Sequence, residues 1–253
     1  MRLRIVAGWE IAVVIAIFLA VPAGRAGDKK DKEREKEKTQ AVDSGSFGVF
    51  IKGQRVVTES FQIEQNNGMS TIKSQLKETG SADAAQKSEL EITPSGELLR
   101  YEWSQASGGS LTVVTKNDFL LENISTPGMT KPAEQPFLMP STSTILDNNF
   151  FVQREVLVWR YLASDCKPEG GNLKCQQGPA EFGTLVPQDR NSVRVRLELV
   201  GREKVNIHGT DRDLLRLNLS GENFLWNLWV DDHDQFKLIR VLIPADNTEV
   251  IRD

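Results

Sequence analysis

The stretch "SVRVRLELVG", Ser192 to Gly201, puts Val193, Val195, Leu197 and Leu199 on one side of an extended chain and Arg194, Arg196 and Glu198 on the other. Side chains alternate across a strand, so this period of two predicts a strand with one buried face. The pattern recurs upstream, where Val57, Phe61 and Ile63 oppose Thr58, Ser60 and Gln62. Turn residues separate the runs: Lys52-Gly53-Gln54, Asn66-Asn67-Gly68, "PSGE" and "ASGG". About a dozen such runs predict a mainly-β chain. Its expected form is a large antiparallel curved sheet or half-barrel, with a β-sandwich as the alternative.

One region breaks the rhythm. "TPGMTKPAEQPFLMP", Thr126 to Pro140, carries four prolines and is excluded from the centre of a sheet. After it, Thr144 and Asp147 have capping-box spacing, and Leu146, Phe150, Leu157 and Tyr161 recur at near-helical intervals. These predict one main helix over residues 144–163. Its C-terminal half is apolar nearly all round, so it should be buried, either as plain packing or as the wall of a cavity inside a curved sheet.

The N-terminus reads as a secretory signal. Arg2 and Arg4 precede the apolar run Ile11 to Val21, and small residues follow. That run is short for a helix crossing a bilayer about 30 Å thick, so residues 1–26 are expected to be a signal peptide, with an uncleaved anchor as the alternative. Cleavage removes Arg2, Arg4, Arg25 and Glu10, a net of +2, and takes the chain from −4 to −6. This acidity argues against nucleic acid as a partner. Residues 28–38, six positive and five negative, have no apolar face, so residues 27–43 are expected to be a disordered charged linker. Residues 44–253 then form a single antiparallel β domain with the helix inserted. Cys166 and Cys175 enclose a Gly/Pro-bearing loop and are expected to form a structural disulfide. No transmembrane span is expected after signal cleavage, and the expected location is the periplasm or cell envelope.

Chemistry is thinly signalled. His208 with Asp211, and His233 with Asp231, Asp232 and Asp234, contain metal-ligating types but match no metal motif, and both sit where strands must turn. His208, Asp211, His233 and Asp231 are therefore the weaker metal candidates, and the reading adopted is no metal and no cofactor. There is no G-x-S-x-G, H-E-x-x-H, P-loop or dinucleotide fingerprint, so no catalytic residue is assigned. The aromatics carry more. Trp226 and Trp229 face opposite ways on one strand. In the next strand Leu238 and Leu242 are expected to oppose Ile239, Val241 and Ile243, so both faces need cover. Trp103, Phe150, Trp159 and Trp226 are the candidate walls of a ligand site.

The first hairpin, "GSFGVFIKGQRVVTESFQIE", and the end, "WNLWVDDHDQFKLIRVLIPADNTEVIRD", resemble exported bacterial proteins of domain-of-unknown-function families. Some of those resemble the half-barrel with a helical lid of periplasmic lipoprotein carriers. The resemblance implies a long antiparallel sheet and brings no catalytic residues. The function expected is a non-catalytic binding protein for a lipid or other apolar ligand. The alternatives are an envelope structural or protein-interaction domain and, third, a hydrolase or metal enzyme at the Asp/His clusters.

Overall fold

In a computed structural model, the structure describes residues 39–170 and 172–253. The expected signal peptide lies outside the described residues, as does most of the expected linker. The first strands are β1 (Gln40–Ile51), β2 (Gln54–Asn66), β3 (Met69–Glu78), β4 (Gln86–Ile92), β5 (Leu98–Gln105), β6 (Ser110–Lys116), β7 (Phe119–Ser125) and β8 (Ala133–Phe137). A two-residue strand β9 (Thr144–Ile145), the helix α1 (Val152–Asp165) and the hairpin β10 (Cys166–Glu169) and β11 (Asn172–Cys175) follow. The chain ends with β12 (Ala180–Val186), β13 (Asn191–Ile207), β14 (Thr210–Ser220), β15 (Leu225–Asp231), β16 (Lys237–Ile243) and β17 (Thr248–Arg252).

Fifteen strands form one sheet in the order β8-β7-β6-β5-β4-β3-β2-β1-β17-β16-β15-β14-β13-β12-β9. The first and last strands pair at its middle, Phe47 opposite Arg252 and Ile51 opposite Thr248. Two antiparallel meanders spread from this seam, and only the β12–β9 pair is parallel among the described strands. Among the described residues the result is a large curved sheet with one α-helix, not closed into a barrel. β8, in the proline-rich segment, sits at an edge, where a missing N–H costs no ladder bond. Hairpins turn on left-handed residues, as at Asn67 (φ 52) and Gly68 (φ 81).

The sheet wraps α1. Leu199 N–H on β13 donates to Tyr161 Oη (3.2 Å), Trp159 Nε1 donates to Phe236 O (3.0 Å), and Leu238 N–H on β16 donates to Glu155 (2.7 Å). The strands of both wings and the helix share one core that includes Phe47, Ile72, Tyr101, Leu157, Leu197 and Val241. Residues 138–150 bridge the two wings: Leu98 N–H donates to Ser141 O (2.8 Å), while Leu146 N–H donates to Leu185 O (3.0 Å).

Three expectations need correction. The helix begins at Val152, not near residue 144, because Thr144 and Ile145 pair with Thr184 and Leu185 as β9. Asp147 is no cap; its carboxylate accepts from Asn149 N–H (2.7 Å), Tyr101 Oη and Gln188 Nε2. The sheet includes residues from Gln40 onward, ahead of the expected start near residue 44, and Asp43 is already buried. Finally, a bulge opposite Trp229 and Val230 pairs them with Arg240 and Leu238 and skips Ile239. One extra residue reverses the facing of all that follow. Leu238 and Val241 therefore face the main core, while Ile239 and Leu242 face the other way.

That other face has its own cover. β13 shifts register at Gly201 (φ 150), and the outer half of the β13–β14 hairpin extends past its pairing with β15. Val205, Ile207 and Leu214 pack there on Trp229 and Ile239. At the tip, His208 Nε2 lies 3.1 Å from Arg252 O on β17. Both-sided apolar strands are thus buried by helix and core on one face and by a folded-over hairpin on the other.

Candidate functional site

On α1, residues 153, 156, 157, 160, 163 and 164 share one stripe, as a period of 3.6 requires. That stripe, Gln153, Val156, Leu157, Arg160, Ala163 and Ser164, forms one wall of a cavity of about 530 Å³. Leu90 and Ile92 of β4, Leu98 of β5 and the turn Pro94–Gly96 form the opposite wall, with Gln65 and Ser70 at one side and Ser143–Ile145 at another. A second cavity of about 280 Å³ is lined by Val42, Trp159, Leu162, Gln235 and Phe236. Trp159 lines both, anchored by its bond to Phe236 O.

A third, larger and more polar hollow of about 680 Å³ lies along β2–β6, where Lys73, Lys87, Glu89 and Glu102 accompany Phe61 and Trp103. Of the four aromatics expected to form a ligand wall, Trp159 lies at the helix–sheet cavity and Trp103 at this polar hollow. Phe150 is fully buried, its carbonyl accepting from Arg154 (2.6 Å). Trp226 packs on Phe151 (6.5 Å between centroids) and Phe224 (5.3 Å), with the Arg154 guanidinium 4.8 Å over its ring. The four do not line one site.

Charged groups buried beside the helix hold it in place. Glu59 of β2 accepts from the N–H groups of Phe151 (2.6 Å) and Val152 (3.3 Å) and from Ser74 Oγ (2.6 Å). It thereby satisfies donors that every helix N-terminus leaves open. Burial pushes its pKa up to about 7, against the pull of Ser74, the two N–H groups and Arg154. Arg154, fully buried, drops to about 10 through desolvation, opposed by Asp147 and Glu59. Burial raises Asp147 as well, against its hydrogen bonds from Tyr101, Asn149 and Gln188.

A second cluster ties the seam to the helix. Arg252 donates to Glu155 (2.9 Å) and Asp43 (2.5 Å), and Lys237 lies 3.6 Å from Asp43. Burial, reinforced by Asp43, drives the Glu155 pKa well above the ordinary carboxyl range. For Asp43, burial is outweighed by hydrogen bonds from Glu155 and Arg252, which hold its carboxyl low.

The Asp/His clusters lie at turns. Asp231, Asp232 and His233 offer ligand atoms within 4.8 Å of one another, but Arg212 pairs with Asp231 and Arg202 with Asp232 (2.5 Å), so arginines already neutralise those carboxylates. Asp211 accepts from Asn206 Nδ2 (2.8 Å), and His208 occupies the left-handed turn position (φ 49). Cys166 and Cys175 are bonded to each other at the foot of the β10–β11 hairpin.

Glu122 stands apart. It is fully buried on the inner face of β7, and neither carboxylate oxygen has a hydrogen-bond partner among the described residues. Burial raises its pKa to about 7, with Arg190 opposing. A carboxyl raised in the folded state contributes stability below its unfolded pKa, and that contribution is lost as pH rises through about 7. Glu122→Leu is expected to be about 1–2 kcal/mol more stable than wild type at pH 8, with the gap closing toward pH 5. Urea denaturation at both pH values checks this; a less stable variant at pH 8 contradicts it.

Sequence reading missed Arg160, Glu59, Glu155 and Arg252. A usable signal existed for Glu59 and Glu122: each occupies a buried-face position in an alternating strand, between Val57 and Phe61 and between Leu120 and Ile124.

No family model matches the sequence, and no curated protein matches it. Among solved structures, the chain is similar to a Brucella abortus protein described as a beta-barrel-like protein of domain of unknown function DUF1849. The two are 6% identical, with a TM-score of 0.49, over 83% of this chain and 94% of that one.

Proposed function

We propose that this chain is an exported, non-catalytic binding protein for a lipid or other apolar ligand, held between α1 and strands β4 and β5. The observation that carries the reading is the cavity of about 530 Å³, whose walls include Leu90, Ile92, Leu98, Val156, Leu157 and Trp159. Its size falls in the range of about 300–1,000 Å³ typical of small-molecule sites, and polar side chains such as Gln65, Ser70, Thr144 and Gln153 share the wall with the apolar ones. Glu59, Arg154, Glu155, Asp43 and Arg252 are engaged in seating the helix or closing the seam, which favours scaffold over catalysis. Export is supported by the basic-apolar-small order of residues 2–26 and by the Cys166–Cys175 bond, which suits an oxidising compartment. Among the described residues no helix is long and apolar enough to cross a membrane.

The test uses a neutral apolar dye, N-phenyl-1-naphthylamine, whose emission rises on leaving water. Wild type is expected to bind it saturably, and Val156→Trp, which fills the cavity, is expected to weaken binding at least tenfold while keeping its circular dichroism. Absence of saturable binding by wild type overturns the reading.

A further inference from the structure

The binding role proposed above leaves the polar end of the ligand unspecified, and this inference rests on that role. We infer that the cavity takes a single-chain amphiphile whose head is an anion, a carboxylate or a phosphate monoester, paired with Arg160.

Among the residues that line the cavity, Arg160 is the single charged side chain; no aspartate or glutamate lines it. In a chain of net charge −4, this is a local reversal of sign. Arg160 is half-buried, and a cation partly desolvated beside apolar walls gains from an anion that meets it. Yet Arg160 has no carboxylate within ion-pair distance among the described residues; Glu97 acts on it only from farther off. Its Nη1 donates to Thr144 Oγ1 (2.8 Å) and reaches Gly96 O at 3.5 Å, leaving Nε and Nη2 without a partner among the described residues.

The guanidinium is held in place. It lies 5.5 Å from the Phe182 ring centre, and its stem passes so close to Gly96 that a Cβ there would stand 3.3 Å from Arg160 Cδ. Gly96 also has a φ of 78, a conformation that favours glycine. A planar fork fixed in this way, with two nitrogens open, suits the paired oxygens of a carboxylate or phosphate. Desolvation lowers the Arg160 pKa, with Glu97 opposing. Seven residues back on the same helix stripe, about 10 Å along the axis, the buried Gln153 is engaged by Asp147 N–H and the Tyr101 hydroxyl. Between it and Arg160, Val156 and Leu157 face Leu90, Ile92 and Leu98.

Displacement of N-phenyl-1-naphthylamine by three compounds of one chain length isolates the head: hexadecanoate, hexadecyl phosphate and hexadecanol, each below its aggregation limit. At least one anion is expected to displace the dye at a tenfold or lower concentration than hexadecanol, and which one does so identifies the head. Arg160→Gln is expected to bring the displacing concentrations of the anions and of hexadecanol to within about twofold of one another; Arg160→Lys should retain part of the preference. Hexadecanol competing as well as both anions on wild type overturns the inference while the apolar-binding role stands. Dye that never binds wild type removes both. The wild-type comparison decides even where a variant fails to fold.

Discussion

Glu59→Ala is expected to lower stability by about 3–5 kcal/mol, a large share of the 5–15 kcal/mol typical of a domain. The substitution strips the Phe151 and Val152 N–H groups of their acceptor at a buried helix terminus and leaves Ser74 Oγ without its carboxylate. It also removes an anion that opposes the fully buried Arg154. Glu59→Gln retains an acceptor oxygen and should cost about 1–2 kcal/mol. The wild-type contribution is itself pH-dependent. With its folded pKa near 7, Glu59 contributes most below its ordinary value and progressively less as pH rises through 7. Urea titrations of the three proteins at pH 5 and pH 8 check both statements. Equal midpoints for wild type and Glu59→Ala would show that the helix N-terminus does not depend on β2.

Arg252→Ala is the second large effect, also about 3–5 kcal/mol, because it unpartners a buried acid pair. Arg252 joins β17 to Glu155 of α1 and to Asp43 of β1, donates to Ser44 O (3.3 Å), and lies 5.0 Å from the Phe61 ring centre. Residues near the two ends of the described chain, 209 positions apart, meet in this one contact. Without the guanidinium, Asp43 and Glu155 lose the cation that favours their ionised forms. Arg252→Ala should therefore unfold more readily as pH rises from 5 to 8 than wild type does. A double-mutant cycle with Asp43→Asn should return a coupling of at least about 1 kcal/mol. Additivity within about 0.3 kcal/mol would contradict a direct role for the pair.

How much of this was legible follows from which signals are local. The alternation of Val193 to Leu199 reads directly as a strand, and all four apolar residues face the core side as expected. The turns at Asn67-Gly68 and His208-Gly209 were equally plain, since glycine marks the left-handed positions. The sheet's curvature was legible only as one of two options, because period two does not say whether the second face meets another sheet, a helix or a bent hairpin. The helix start was misplaced because Thr144 and Asp147 mimic a cap locally. What fixes Phe151 is Glu59, 92 residues away in sequence. The Ile239 bulge defeated the facing of β16 for a related reason: it is set by pairing with β15, which no short window contains. The cavity residues had no signature of their own. Arg160 reads as an ordinary helical arginine until β4, β5 and β12 are folded around it.

The central claim, an apolar ligand between α1 and β4–β5, is tested most directly by methyl NMR with the neutral spin label methyl 16-doxylstearate. Relaxation enhancement is predicted at the methyls of Leu90, Ile92, Val156 and Leu157, with those of Val205 and Ile207 under the folded-over hairpin unaffected. Enhancement confined to the hairpin cluster, or absent from the helix–sheet cavity, would contradict the account.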